Sequence, residues 1–358
     1  MDVGDLKRRV DDFFADPQHL VEDGGSDHCR GLVLSMGAAG LLEYVAPQPS
    51  SRSLCALRQA IAYHSALGDL LFAMQGLGSF PISLAGSAGQ KQKYLPRVAR
   101  GEAIAAFAIT EPEAGSDAGS LSLRAERVDG GYKLNGTKTL ISNAGLADFY
   151  TLFARTSEGP KGVTAFIVEA SRKGIRAHPV ELISVHPIGQ LHLSDCLVPD
   201  ENRLGQEGEG LKIAYGTLDV FRASVGAAAV GMAERAFDEA IRYAKMRHQF
   251  GKPLAELQGI QFKIAEMAQA LQASRLLVWD AASRNDEGLR TTLESAIAKS
   301  YATEAAQKII DEALQIHGGI GLLRGSITER LYRDVRALRI YEGTTEVLKS
   351  LIAREYLK

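Results

Sequence analysis

Val128-Asp129-Gly130-Gly131-Tyr132 separates two β-rich runs, Leu121–Val128 and Tyr132–Leu134. An Asp-Gly pair between strand-forming residues marks a tight hairpin, because its backbone tolerates the positive φ that a two-residue turn requires. The surrounding chain keeps this texture. From Ala103 to about Gly205, short β-rich runs alternate with turns, including Thr139–Ile141, Phe149–Ala154, Val163–Glu169 and Leu191–Val198. No helical stretch intervenes, so the spacing predicts an antiparallel barrel or sandwich rather than a parallel sheet.

On both sides of this region the period changes to that of helices. Val3, Leu6, Val10, Phe13 and Phe14 recur at helical spacing, and Leu54–Leu77 is a long proline-free run dense in Ala and Leu. Gln90–Arg100 forms a short amphipathic pattern through Tyr94, Leu95 and Val98, and Pro47, Pro49 and Pro81 punctuate these helices. Beyond the break Gly205-Gln-Glu-Gly-Glu-Gly210 come three long patterns, Leu211 to His248, Leu254 to Asn285 and Thr291 to His317, the last ended by Gly318-Gly319. A final helix is expected from Thr344 to Tyr356. Long helices joined by short loops predict an antiparallel bundle. The expected fold is α+β in three domains: helical over residues 1–102, antiparallel β over 103–206 and a four-helix bundle over 207–358.

The bulk composition restricts function. A chain of 358 residues with 46% hydrophobic and 23% charged residues is ordinary for a globular protein with sizeable cores. A net charge of -2 gives none of the basic excess that nucleic-acid binding usually shows. Cys29, Cys55 and Cys196 are few, odd in number and widely spaced, which excludes a disulfide framework and a Cys-x-x-Cys metal site. Met1–Val10 carries acidic residues without an apolar run, unlike a secretory leader, and no stretch reaches the ~20 apolar residues of a membrane span. A soluble cytoplasmic protein is expected.

Five segments carry polar chemistry at the ends of these elements. Ala108-Ile109-Thr110-Glu-Pro-Glu-Ala-Gly115-Ser116-Asp117 is a loop of small and hydroxyl residues, suited to a planar or phosphorylated ligand or simply to a turn. Gly136-Thr-Lys-Thr-Leu140-Ile-Ser142-Asn143 ends a strand in polar groups. Arg247-His-Gln-Phe250-Gly251 and Gln315-Ile-His-Gly318-Gly319-Ile-Gly321 close two long helices, where Arg or Gln either reaches a ligand or caps the helix. Ile340-Tyr341-Glu342-Gly343-Thr344-Thr345-Glu346 places one carboxylate between an aromatic ring and a Gly-Thr pair that opens a helix. Burial against the ring raises a carboxyl's proton affinity and glycine admits a close ligand; an ordinary first-turn carboxylate reads the same way. Gly319-Ile-Gly321 lacks the third glycine and the preceding strand of a dinucleotide fingerprint, and His178, His186 and His192 lack ligand spacing, so no metal is expected.

In order and spacing, these five segments resemble those of the acyl-CoA dehydrogenase family of flavoproteins, from about Met36 to the C-terminus. The resemblance implies FAD and an acyl-CoA substrate, whose α proton goes to Glu342 and whose β hydride goes to the flavin, leaving a trans-2-enoyl thioester. It implies that Phe107, Ile109, Thr110, Leu140 and Ser142 line the isoalloxazine, and that Arg247, Phe250 and Gln258 hold the pyrophosphate and adenine. It further implies that Gln315 and Gly319 serve the FAD of a neighbouring subunit, that Gly318 binds cofactor, and that Thr344 and Glu346 contact cofactor after the base. Ser116, Asp219, Arg222, Tyr341 and Gly343 meet the thioester and CoA. A homotetramer, built as a dimer of dimers, and an electron-transfer flavoprotein as acceptor follow from the same likeness.

Two departures qualify the resemblance. Leu140 stands where many members carry Trp, and the Pro47–Ser53 stretch lacks the usual Tyr-Gly-Gly, so the flavin wall and the acyl pocket differ. Phe221 occupies the position where other branches carry the base, which leaves Glu342 as the candidate at either site. An oxidase, a dehydrogenase of carrier-protein-linked acyl groups and a non-catalytic partner subunit remain alternatives on the same fold.

Overall fold

The computed structural model describes residues 3–159 and 161–358; Met1, Asp2 and Pro160 lie outside the described residues, so the N-terminal reading is followed from Val3 onward. The order is α1 (Val3–Phe13), α2 (Ser26–Ala38), α3 (Ser51–His64), α4 (Ala66–Ala85) and α5 (Ala88–Ala99). Then come β1 (Ala105–Ala108), β2 (Arg124–Val128), β3 (Gly131–Ser142), β4 (Phe149–Arg155), β5 (Val163–Glu169), β6 (Ile175–Pro179), β7 (Ile188–Pro199) and β8 (Arg203–Leu204). The chain ends with α6 (Gly210–Met246), β9 (His248–Gln249), β10 (Lys252–Pro253), α7 (Gln258–Asp286), α8 (Thr292–His317), α9 (Ile327–Val335) and α10 (Thr345–Tyr356). Helix, sheet, helix is the predicted sequence of textures.

Contacts divide the chain into two compact units. One comprises residues 3–22, 50–69 and 219–358; the other comprises residues 23–49 and 70–218. The second unit contains an eight-stranded sheet ordered β6-β7-β3-β2-β4-β5-β8, with β1 beside β4. The Asp129-Gly130 turn is there: Val128 pairs with Gly131 and Gly130 has φ +73°. The sheet is antiparallel as expected apart from β1, which runs parallel to β4 from Ala105↔Phe149 to Ala108↔Leu152, and the single parallel pair Arg124↔Arg155 between β2 and β4. β4 and β5 are buried over six successive residues each, Phe149–Ala154 and Val163–Val168, so both sheet faces are covered there and the apolar run does not alternate. Pairing of β3 with β7 slips between Lys138 and Ile141, and the bulge turns Leu140 to φ +52° and leaves it 53% exposed.

The first unit is a helical pack built on alanine. Ala227–Ala229, Ala233, Ala236 and Ala240 on α6 meet Ala298, Ala302, Ala306 and Ala313 on α8, with Met267, Leu271 and Val278 from α7. Small side chains let backbones approach, and α6 is buried on every face from Phe221 to Ala233. The long run expected through Leu54–Leu77 breaks at Ser65 (φ -145°, ψ 122°), whose hydroxyl accepts from the Gly68 N–H at 2.8 Å. Pro81 lies inside α4 rather than ending it. Cys29, Cys55 and Cys196 are all buried, and none is in a disulfide.

Candidate active site

Glu342 sits in the first unit, in the turn before α10. Its backbone is left-handed, φ +53°, followed by Gly343 at φ +98°. A non-glycine residue in that region is strained, by an amount on the order of 1 kcal/mol, and persists only where its surroundings hold it. Two cations do so. Lys299 Nζ on α8 donates to the Gly343 carbonyl at 2.6 Å, and Arg222 Nε on α6 reaches the Glu342 carbonyl at 3.4 Å. Thr344, the N-cap of α10, accepts from the Val347 N–H at 3.3 Å, and Thr345 Oγ1 donates to Glu304, which Arg339 also holds at 2.8 Å.

The carboxyl end of Glu342 is enclosed although the residue as a whole is half-buried: its Oε2 is buried and has no hydrogen-bond partner. Burial raises its proton affinity, opposed by the positive charges of Arg58, Lys299 and Arg222. Burial likewise lowers the Lys299 pKa to about 8, opposed by Glu342. The Glu342 N–H has no acceptor among the described residues. A proton acceptor with a free lone pair and an unspent backbone donor one residue wide is the equipment for abstracting a proton next to a carbonyl.

The first unit also holds a buried pair that sequence reasoning missed. Arg58 on α3 donates from Nε and Nη2 to both carboxylate oxygens of Asp69 on α4, at 2.8 and 2.7 Å, with side-chain exposures of 1% and 2%. Arg58 Nη1 also donates to Ser224 Oγ at 3.0 Å, and Ser224 in turn donates to the Phe221 carbonyl at 2.6 Å. Phe221 is fully buried. Asp219 and Arg222 form the expected pair three residues apart, Oδ1 to Nη1 at 3.0 Å, but Arg222 is also committed to the Glu342 turn.

Five of the remaining expected residues, Phe107, Ile109, Thr110, Leu140 and Ser142, lie in the second unit around the end of β1 and the bulge of β3. Phe107, Ile109 and Thr110 are half-buried; the Thr110 carbonyl accepts from the Thr139 N–H at 2.9 Å, and the Ile109 carbonyl accepts from Lys138 Nζ at 2.9 Å. Ser142 Oγ pairs with His186 Nε2 at 2.8 Å, and burial drops His186 to about 4, so this ring is neutral. Lys138 and Glu111 form a second buried pair at 2.8 Å behind them, with burial lowering Lys138 to about 8. Exposed Leu140, half-buried Phe107 and the hydroxyls of Thr110 and Ser142 give an apolar face with a polar edge, which fits a flat heteroaromatic ring. Ser116 lies exposed in the loop beyond.

The other expected residues are scattered over the first unit. Arg247 precedes the β9–β10 hairpin, whose turn is formed by Phe250 (φ +54°) and Gly251 (φ +76°), and Phe250 is 90% exposed. Gln258 opens α7 and Gln315, Gly318 and Gly319 close α8, all exposed, as is Glu346. Among the described residues, no group of three or more His, Cys, Asp or Glu is placed to hold a metal, and no helix is long and apolar enough to cross a membrane.

Comparison with known proteins gives this arrangement its relatives. Residues 10–102 match the acyl-CoA dehydrogenase N-terminal domain, 106–196 the middle domain and 208–357 the C-terminal domain. The chain belongs to the acyl-CoA dehydrogenase family. An acyl-CoA dehydrogenase of Bacillus subtilis is 39% identical over 338 residues, covering 91% of this chain and 89% of its own. A caffeyl-CoA reductase–Etf complex subunit of Acetobacterium woodii is 43% identical over 288 residues, 79% of this chain and 76% of its own. Among solved structures, butyryl-CoA dehydrogenase from Megasphaera elsdenii superposes with a TM-score of 0.94 at 33% identity, covering 100% of this chain and 99% of that one. The protein is thus an oxidoreductase of the acyl-CoA dehydrogenase fold, with an N-terminal helical domain, a middle β domain and a C-terminal helical domain.

Proposed function

We propose that this protein dehydrogenates an acyl-CoA thioester to the trans-2-enoyl-CoA, with Glu342 taking the α proton. The observation that carries the reading is the buried, unpartnered Oε2 of Glu342. A carboxylate without a hydrogen bond keeps its lone pair for the substrate, and burial makes it a stronger base than one in water. The cations Arg58, Lys299 and Arg222 oppose the rise that burial causes and favour the carboxylate form. The N–H of Glu342 donates to the thioester oxygen as charge develops there.

FAD, held when bound by Phe107, Ile109, Thr110, Leu140 and Ser142, and by Arg247, Phe250, Gln258, Thr344 and Glu346, supplies the acceptor for the β hydride. Ser116, Asp219, Arg222, Tyr341 and Gly343 orient the thioester and CoA. The exposed Gln315, Gly318 and Gly319 support assembly into a homotetramer in which these residues complete a neighbour's cofactor site. An electron-transfer flavoprotein is the proposed electron acceptor, on the strength of the relative named as an Etf complex subunit.

That relative is named a reductase, which favours one further reading: the same residues work in the opposite direction, with protonated Glu342 delivering the α proton to an enoyl thioester. Both directions need the same carboxyl. In the test, Glu342→Gln is purified with its flavin and mixed anaerobically with butyryl-CoA and with crotonyl-CoA under a reductant. Loss of flavin bleaching and of reduction, with flavin retained, is expected. Bleaching at the wild-type rate overturns the assignment of Glu342.

A further inference from the structure

We propose that Lys138 is a positioning residue for the flavin-lining wall of the β domain, holding the chain beyond β1 against β3 with Glu111 as its counter-ion. The proposal rests on the reading of Phe107, Ile109, Thr110, Leu140 and Ser142 as that wall, and concerns two side chains to which the family resemblance gives no role. Both are buried, with side-chain exposures of 0% for Lys138 and 4% for Glu111. Lysine is among the residues least often found fully buried, and burying an ion pair is seldom a gain in stability over apolar packing.

β1 ends at Ala108, its last residue in register with β4, so the carbonyls that follow need partners from outside that ladder. Thr110 finds one in the Thr139 N–H on β3, 2.9 Å away. Ile109 finds one in a side chain: Lys138 Nζ donates to its carbonyl at 2.9 Å and to Glu111 Oε1 at 2.8 Å. Glu111 in turn accepts from the Ser122 N–H at 2.6 Å, the Ser122 hydroxyl at 2.9 Å and the Leu123 N–H at 3.0 Å, just ahead of β2. Two buried charges thus fasten the end of β1 to β3 on one side and to the entry of β2 on the other. Lys138 also stands at a decisive point of β3. It pairs with Leu191 in the last register position before the slip that carries Leu140, with Ser142 beyond. Its backbone therefore anchors one half of the wall, Leu140 and Ser142, and its ammonium the other half, Ile109 and Thr110. A staple that only held the sheet together would matter to flavin no more than any other core contact of that sheet.

The experiment separates positioning from stability. Lys138→Met combined with Glu111→Gln removes both charges, nearly keeps the length of each side chain and leaves the glutamine to accept from Ser122 and Leu123. Its urea midpoint is therefore expected near that of wild type. Its FAD is expected to bind about tenfold more weakly, read as free-flavin fluorescence on dilution of the loaded protein. The visible circular dichroism of the flavin that stays bound is expected to change with it. Val198→Ala, at the far end of the β3–β7 ladder where Val198 pairs with Tyr132, is the control for lost packing. It lowers the urea midpoint and leaves FAD affinity and dichroism as in wild type. If the double variant does not fold, Lys138→Gln, too short to reach both partners, is read in its place with the same loss expected. A folded variant with wild-type affinity and dichroism, or an equal loss in Val198→Ala, overturns the proposal. Wild-type protein that takes up no FAD refutes the cofactor reading and the proposal with it, so the two failures are told apart.

Discussion

Replacing Lys299 with methionine removes a buried ammonium while keeping most of its length, and the structure sets the size of the result. The lysine's pKa falls from 10.5 to about 8 because burial penalises its charge more than Glu342 supports it. Two and a half units at 1.36 kcal/mol each are about 3 kcal/mol of unfavourable linkage. Between pH 8 and 10.5 the unfolded chain binds this proton more than the folded chain does, so the group's contribution to stability rises with pH across that window and is fully unfavourable below it. At pH 7 the variant escapes the penalty, but it orphans the Gly343 carbonyl, which costs about 1–3 kcal/mol. The two terms nearly cancel, and Lys299→Met is expected to fall within about 2 kcal/mol of wild type at pH 7. At pH 10 the wild type has regained about 2–3 kcal/mol that the variant cannot, so the gap widens in favour of wild type. Urea unfolding of both proteins at the two pH values measures it, and Lys138, present in both, drops out of the difference. A gap that is equal at pH 7 and pH 10 refutes the reasoning. Without Lys299 the Glu342 turn also loses its tightest clamp, so flavin reduction falls even where stability is kept.

The remaining predictions concern packing and charge elsewhere. Glu111→Ala leaves Lys138 buried without its partner, and urea unfolding is expected to show a loss of about 3–5 kcal/mol. Gly231→Ala on α6 would place a Cβ 2.1 Å from the Gln59 carbonyl oxygen of α3; backbone must move, and a loss of about 1–3 kcal/mol or more is expected in the same assay. Asp334 is raised to about 7 by burial and then by the neighbouring Glu22. The folded chain holds that proton more tightly than the unfolded chain, so stability from this group is lost as pH rises from about 4 to 7. Asp334→Asn is therefore expected to raise Tm at pH 8 and to change it less at pH 5, and an equal effect at both would count against it.

Much of the architecture is readable from local pattern. The Asp129-Gly130 turn, the Gly205–Gly210 break and the glycines after His317 each specify backbone that few other residues adopt, so the change from helix to strand and back is visible along the chain. The misses have physical causes. Ser65 breaks a run that composition presents as one helix, and Pro81 is carried inside α4 because packing outweighs propensity. β6 is largely exposed and has no run of alternating apolar residues, and α9 is only nine residues long, too short for its stripe of Ile327, Leu331 and Val335 to stand out. Glu342 could be singled out beside its aromatic neighbour and glycine, yet its left-handed backbone and orphaned oxygen depend on Lys299 and Arg222, which lie 43 and 120 residues away. Arg58 and Asp69 belong to different helices, and in sequence Lys138 is one polar residue in a strand; charged residues that end fully buried leave no local mark.

The three thiols, all buried, carry a practical consequence. Burial lifts Cys55 to about 12 and raises Cys196 as well, so at neutral pH neither presents the thiolate that alkylating reagents attack. The folded chain is in effect blank to such reagents, and label uptake becomes a clock for its opening. The same blankness means that a single cysteine introduced at an exposed position, such as Ser116 or Glu346, takes a probe there and nowhere else.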